Sequence, residues 1–401
     1  MRQDKERSIR EQADLWKGYW CILACILLVG RVSYLTFFQN HIVSVYAAAQ
    51  TEQKEDSSVQ ILQENLMEEI QIDDVQKMLD EIMDDHVFSV RKALMNIING
   101  EEPVSKETVR SFLYSLFFSD IENEKGLILK LLLVIFIAAV LAEFADVFGN
   151  GQAGSISFYI VYLALFTMLM ENFSRLGSTL TNWLLGLTDF MKVLSPAYFM
   201  TVAASTGSST AAAFYEGILL MIWAVQWLLA NLFLPAVNLS LLLKMVNYLS
   251  KEEMLTKMAE LLDVAVNWGL KTLLGAIVGL QIVRNMVSPV MDAMKRSAVG
   301  KAASAIPGIG NALTSAVMVR NSFGAVIVIL LLLIGAGPII HYGSLSLVYR
   351  FLAAIAQPIS DKRVVGALST MGEGCAMLLK LLLTAEVLCM LTFLIVVVSV
   401  S

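Results

Sequence analysis

Histidine occurs three times in this 401-residue chain, cysteine four times and proline seven times, and charged residues make up only 16%. The cysteines are Cys21, Cys25, Cys375 and Cys389. None lies in residues 50–125, and no CxxC or Cys/His metal spacing exists, which argues against a disulfide framework and a structural zinc. They read instead as small apolar residues of membrane helices. His41, His86 and His341 are far apart, and there is no Walker A, no G-x-G-x-x-G after a strand, no H-E-x-x-H and no G-x-S-x-G. No catalytic site, cofactor site or metal site is therefore expected, and nothing could bind and hydrolyse a nucleotide. His341 and Ser344 share one apolar segment, but the sequence supplies no third, orienting group nearby, so intramembrane proteolysis is disfavoured and His341 reads as a polar helix contact.

Hydrophobic residues, in contrast, make up 57% of the chain, with a mean hydropathy of +0.68. Soluble globular chains are about half apolar and about a quarter charged. The charge is also unevenly placed. Residues 50–125 carry 18 acidic and 7 basic groups, a net of −11, which leaves +5 for the rest of a chain that nets −6. An acidic polar block between apolar runs reads as a water-exposed domain on a membrane body, with its charged face either solvated or used for docking. The small basic excess elsewhere suits membrane loops and gives no sign of nucleic-acid binding.

The N-terminus begins with Arg2, Lys5, Arg7, Arg10 and Lys17, continues as the apolar run Gly18–Gly30, and ends in Ala47-Ala48-Ala49. Residues 1–49 therefore read as a signal peptide cleaved before Gln50, or as an uncleaved anchor, since Arg31 interrupts the run. Either reading puts residue 50 outside the cytoplasm. Residues 50–125 have apolar positions at helical spacing (Ile61, Leu62, Leu66; Val75, Met78, Leu79, Ile82) and form an expected extracytoplasmic helical domain.

Residues 126–401 read as an all-α, polytopic transmembrane bundle. A crossing takes about 20 apolar residues, and Leu127–Phe148, Ser155–Phe173, Gly217–Leu234, Leu270–Val287, Phe323–Leu347 and Ala376–Val398 qualify. Val237–Leu249, after Pro235, either extends the preceding helix or forms a short partner, and Ser195–Phe214 is ambiguous. The expected total is six to eight spans, with amphipathic stretches between them. Two stretches, about 154–265 and about 266–399, resemble each other in outline, pairing Pro196 with Pro307, Pro235 with Pro338 and, where the first passes into the second, Lys271 with Lys380. Repeats with broken helices are a transporter device, so Ser195–Thr210 and Pro307–Ser315, with Gly308 and Gly310, are expected to be broken.

Charges within apolar spans are costly and point to function. Glu386 is the sharpest, eleventh in its 23-residue run; Arg284 and Lys271 flank another helix. A polar or ion-coupled site competes here with an interhelical salt bridge or, for lysines such as Lys130, Lys244, Lys271 and Lys380, a side chain reaching the interface. Gly275 and Gly279 form a GxxxG that permits close helix contact.

Ser304-Ala305-Ile306-Pro307-Gly308-Ile309-Gly310-Asn311, followed by Val319-Arg320-Asn321-Ser322-Phe323-Gly324, resembles the stage III sporulation protein AE family. Ser195-Pro196, Asn267-Trp268-Gly269-Leu270-Lys271 and Gln357-Pro358-Ile359-Ser360-Asp361 add to the likeness. The resemblance implies a protein of endospore-forming bacteria, in the mother-cell membrane around the forespore. It implies as partners the lipid bilayer and other subunits of the stage III sporulation complex, including a cytoplasmic ATPase, in an assembly resembling a secretion channel. It defines no active site. The expected function is a membrane core subunit that forms or scaffolds the conduit; a stand-alone secondary transporter is the alternative.

Overall fold

The computed structural model describes the backbone of residues 72–82, 88–99, 101, 106–147, 151–206, 219–249, 255–303 and 309–400. The N-terminal segment 1–49 and its signal or anchor lie outside these residues, as do Pro307 and Gly308. All the regular structure among the described residues is helical. We number the helices α1 (Ile72–Ile82), α2 (Val90–Ile98), α3 (Lys106–Val147), α4 (Gly151–Thr206), α5 (219–249), α6 (Thr256–Ala303), α7 (Ile309–Ala356) and α8 (Lys362–Val400).

Four of these helices are long and apolar enough to cross a membrane: Leu219–Tyr248, Thr256–Gly279, Asn321–Ala356 and Lys362–Phe393. At 1.5 Å per residue the 36-residue stretch of α7 is about 54 Å long, well beyond the ~30 Å hydrocarbon core. Their exposed side chains include Leu220, Trp223, Leu261, Trp268, Leu332 and Phe351, as expected of surfaces that meet lipid tails.

Pro235 does not end α5. A π turn at Leu229–Phe233 precedes it, with the Leu234 N–H bonded to the Leu229 carbonyl. Widening the helix by one residue is a recurrent way to absorb an irregular turn. Val237–Leu249 therefore extends the preceding helix. The expected break at Ser195–Thr210 is likewise absent over its described part, because α4 continues through Pro196 to Thr206. Proline removes the donor for the carbonyl four residues back, but the neighbouring Ser195 hydroxyl donates to the Met191 carbonyl at 2.5 Å, adding a bond in the same turn. Pro338 also lies within the continuous α7, and Gly310 lies in its first turn.

The α7–α8 hairpin organises the bundle. Its turn is built by Gln357-Pro358-Ile359-Ser360-Asp361: the Ser360 N–H bonds the Ala356 carbonyl at 2.8 Å, and Asp361 Oδ1 accepts the Arg363 N–H at 2.8 Å to open α8. The apolar core falls into two clusters along this hairpin. One joins Leu131 and Ile135 of α3 with Tyr162–Leu184 of α4, much of α5, Tyr342–Ala356 of α7 and Val364–Leu388 of α8. The other joins Leu187–Tyr198 of α4, Val319–Ile334 of α7 and Cys389 and Phe393 of α8 with α1 and α2. The order of contacts makes α4 antiparallel to α5 and to α7.

Helices α1 and α2 bury Ile72, Val75, Leu79, Val90, Ala93 and Leu94 in that second cluster and keep Asp73, Asp74, Lys77 and Arg91 outside. Helix α3 runs without interruption through residue 126. One side chain clasps α1 to α2: Gln76 Nε2 donates to the Phe88 carbonyl at 3.0 Å, and Gln76 Oε1 accepts the Val90 N–H at 2.8 Å. Gln76→Leu removes both bonds and leaves two partly buried backbone groups wanting partners. A loss of about 1–3 kcal/mol is expected, read as faster amide exchange at Val90 with exchange in α7 unchanged.

Candidate functional site

Among the polar side chains that lie between the apolar helices of the described residues, three groups carry ionisable residues singled out by chemistry or burial. The first joins α5, α6 and α8. Lys244 Nζ lies 2.6 Å from Asp263 Oδ2 and 3.1 Å from Glu373 Oε2. Ser240 donates to Asp263, Asn267 Nδ2 donates to the Asp263 carbonyl at 2.7 Å, and Lys380 Nζ donates to Asn267 Oδ1 at 3.2 Å. Lys244 thus satisfies two carboxylates from two different helices, the interhelical ion-pair alternative in the sequence. Lys271 is exposed on α6, and Arg284 lies further along that helix, its side chain outside the described residues.

The second group joins α3 to α7. Asp120 accepts from His341 Nδ1 through one carboxylate oxygen and from the Ser344 hydroxyl through the other. Asp120 is the orienting group that the sequence does not bring near His341, because 221 positions separate them. The result is not a nucleophile–base relay. Both donors spend themselves on one carboxylate, and Ser344 also reaches the His341 carbonyl at 2.9 Å, whereas nucleophilic activation needs the hydroxyl bonded to the imidazole.

Burial raises the Asp120 carboxyl, but the hydrogen bonds from His341 and Ser344 and the attraction of His341 together outweigh it, leaving it below its ordinary value. A depressed folded value contributes stability above the unfolded value and loses it as pH falls through the folded one. Asp120's contribution is therefore flat near neutrality and fades below the ~3.9 of an unfolded aspartate. In Asp120→Asn this acid-side slope should disappear, and one of the two donors loses its acceptor, at a cost of about 1–3 kcal/mol. Thermal unfolding of the detergent-solubilised protein across pH measures both effects.

The third group surrounds Glu386, which is only 3% exposed, at the seam between the two core clusters. Among the described residues neither carboxylate oxygen has a hydrogen-bond partner. Gly335 of α7 lies against it: a Cβ built there would stand 2.7 Å from the Glu386 carboxyl carbon, so glycine makes room for the carboxylate. One turn further on α8, Cys389 Sγ is 3.6 Å from Gln226 Nε2 of α5, while Gln226 Oε1 is buried without a partner. Among the described residues no base meets Glu386, and Pro196, Lys271 and Gly310 are not gathered around it. The signal that would have added Gln226 is present in the sequence as an uncharged polar residue inside the run Gly217–Leu234.

Helices of membrane length, packed through buried polar contacts and carrying an apolar outer surface, define a polytopic α-helical membrane protein. The model of the family described as "Stage III sporulation protein AE (spore_III_AE)" matches residues 88–400. The chain belongs to that sporulation-protein family. It is 25% identical over 370 residues to the stage III sporulation protein AE of Bacillus subtilis (strain 168), covering 88% of this chain and 90% of that protein. No solved structure matches.

Proposed function

We propose that this protein is a membrane core subunit of a multi-protein complex linking mother cell and forespore, in which it forms or scaffolds a conduit through the mother-cell membrane. The observation that carries the reading is the family match across residues 88–400, joined to helices of membrane length bound by the α7–α8 hairpin. In this reading six to eight spans cross the membrane, residues 50–125 lie on the extracytoplasmic side, and no reaction is catalysed. Energy is supplied by a partner ATPase, consistent with a sequence that has no nucleotide-binding motif. Deleting the chain should leave vegetative growth intact and stop development after the forespore is engulfed, mimicking loss of the ATPase. Normal spore yield in the deletion, under conditions where the ATPase mutant fails, would refute the conduit.

A stand-alone secondary transporter is favoured by one specific observation, the partnerless buried carboxylate of Glu386. Purified protein alone in liposomes would then move solute, whereas a conduit subunit would need its partners.

A further inference from the structure

We propose that Glu386 and Gln226 form a site for one monovalent cation, a proton or Na⁺, enclosed between α5, α7 and α8. Donors and acceptors do not balance at this point of the bundle. Glu386 brings two oxygens without a partner and Gln226 a third, all three buried. Gln226 is tied to Cys389, which is one helical turn from Glu386, so both residues sit at one stretch of α8. With the Gln226 Nε2 turned to Cys389, the atoms left over are all acceptor oxygens, which cannot satisfy one another, and an unpartnered buried carboxylate is too costly to stand alone. One bound cation resolves every deficit: a proton on Glu386 donates to the amide oxygen, and Na⁺ is a hard ion that accepts carboxylate and amide oxygens as ligands.

The surroundings fit an enclosed site. Gly335 leaves space at the carboxyl carbon, and Ile334, Leu388 and Ile222, within a turn of Gly335, Glu386 and Gln226 along their helices, are themselves buried. Among the described residues, Gly335 on α7 lies against the Glu386 carboxyl, and Gln226 on α5 reaches Cys389 one turn further on α8; none of these is a cation. The Gln226 side chain is 5% exposed and Glu386 3%, so both groups are enclosed by the described helices. The site stands apart from the choice between conduit and transporter, because a bound cation can serve either a scaffold or a coupled carrier.

The test uses the purified full chain in detergent, titrated with NaCl against choline chloride at constant ionic strength. A ligand that binds only the folded state raises Tm with the logarithm of its concentration. If Na⁺ is the occupant, Tm climbs with NaCl in the wild type, and the climb is lost in Glu386→Gln and in Gln226→Met. If a proton is the occupant, Tm is indifferent to NaCl, and the infrared difference spectrum between wild type and Glu386→Gln contains the carbonyl stretch of a protonated carboxylic acid at neutral pH. Gln226→Met keeps the carboxyl and shifts that band, so the test survives if Glu386→Gln folds poorly. An ionised carboxylate band with no Na⁺ response would overturn the site, and leaves the deletion phenotype untouched.

Discussion

Replacing Lys244 by methionine is expected to cost about 3 kcal/mol, the low end for breaking a buried ion pair, since the lysine side chain keeps 22% of its surface exposed. The reason is asymmetry. Lys244 is the ammonium that both Asp263 and Glu373 face, at 2.6 and 3.1 Å. Methionine fills nearly the same space, so packing between α5, α6 and α8 survives. Two carboxylates then face each other from different helices without their cation, and like charges this close oppose ionisation of both. Asp263→Asn alone should be milder, because Lys244 retains Glu373 and Ser240 retains an amide oxygen to donate to. Glu373→Gln combined with Lys244→Met should recover part of the loss by removing one of the stranded charges. Thermal unfolding in detergent of these three variants and of Glu373→Gln alone, which closes a double-mutant cycle with Lys244→Met, measures the terms. Equal costs for Lys244→Met and Asp263→Asn would mean that the lysine does not hold two helices together.

The helical class and the apolar character were legible because both rest on composition and on runs of residues, which a single chain displays directly. Glu386 stood out for the same reason: a short carboxylate in the middle of a run of leucines, alanines and valines needs an explanation wherever it ends up. The lysines were harder. Lys244 and Lys271 look alike in sequence, each flanked by apolar residues, yet one faces two carboxylates and the other faces outward. Their difference is a matter of helix phase against neighbours, and phase depends on how α5 and α6 pack. Asp120 was invisible as a partner of His341, since no local pattern connects positions 221 residues apart.

Proline and glycine misled in opposite ways. Pro196 signals a break by its own geometry, but a long helix held on both sides by α7 and α8 absorbs the loss of one backbone bond. The acidic count of residues 50–125 drew attention to the charged face of α1 and α2. Their apolar face, with Val75, Leu79 and Leu94, decides where they sit, and it packs on α4 and α7. The GxxxG at Gly275 and Gly279 allows close helix contact within the chain or between subunits, and within the chain a Cβ at either position meets nothing within 4 Å among the described residues. The glycines that do permit close packing are Gly269 on α6, Gly335 on α7 and Gly366, Gly372 and Gly374 on α8, where a Cβ would meet a neighbour at 3.0 Å or less.

Gly374→Leu is expected to be the most damaging single substitution in the bundle, with the folded protein lost from membranes. Even a bare Cβ at Gly374 would overlap Leu241 Cδ1 and stand 2.8 Å from the Phe173 ring. Leu241 and Phe173 are themselves buried in the large core cluster, at 3% and 1% exposure, so neither has solvent or lipid to retreat into. Closely packed interiors resist added volume, and each such insertion costs about 1–3 kcal/mol or more through shifted backbone and forced rotamers. Here the insertion falls where α4, α5 and α8 meet. Moving α8 outward to relieve it would also disturb the Ser346 hydroxyl bond to the Gly372 carbonyl at 2.9 Å, two residues away on the same helix. Gly186→Leu on α4 is the control, since a Cβ there meets nothing within 4 Å, and a leucine on that open face should accumulate as the wild type does. Gly374→Ala should be intermediate, and pairing it with Leu241→Ala should restore much of the lost protein by vacating the overlapped space. Immunoblots of membrane fractions, with thermal unfolding of whatever accumulates, order the four chains; wild-type levels of Gly374→Leu would mean that α8 does not pack against α4 and α5 at this depth.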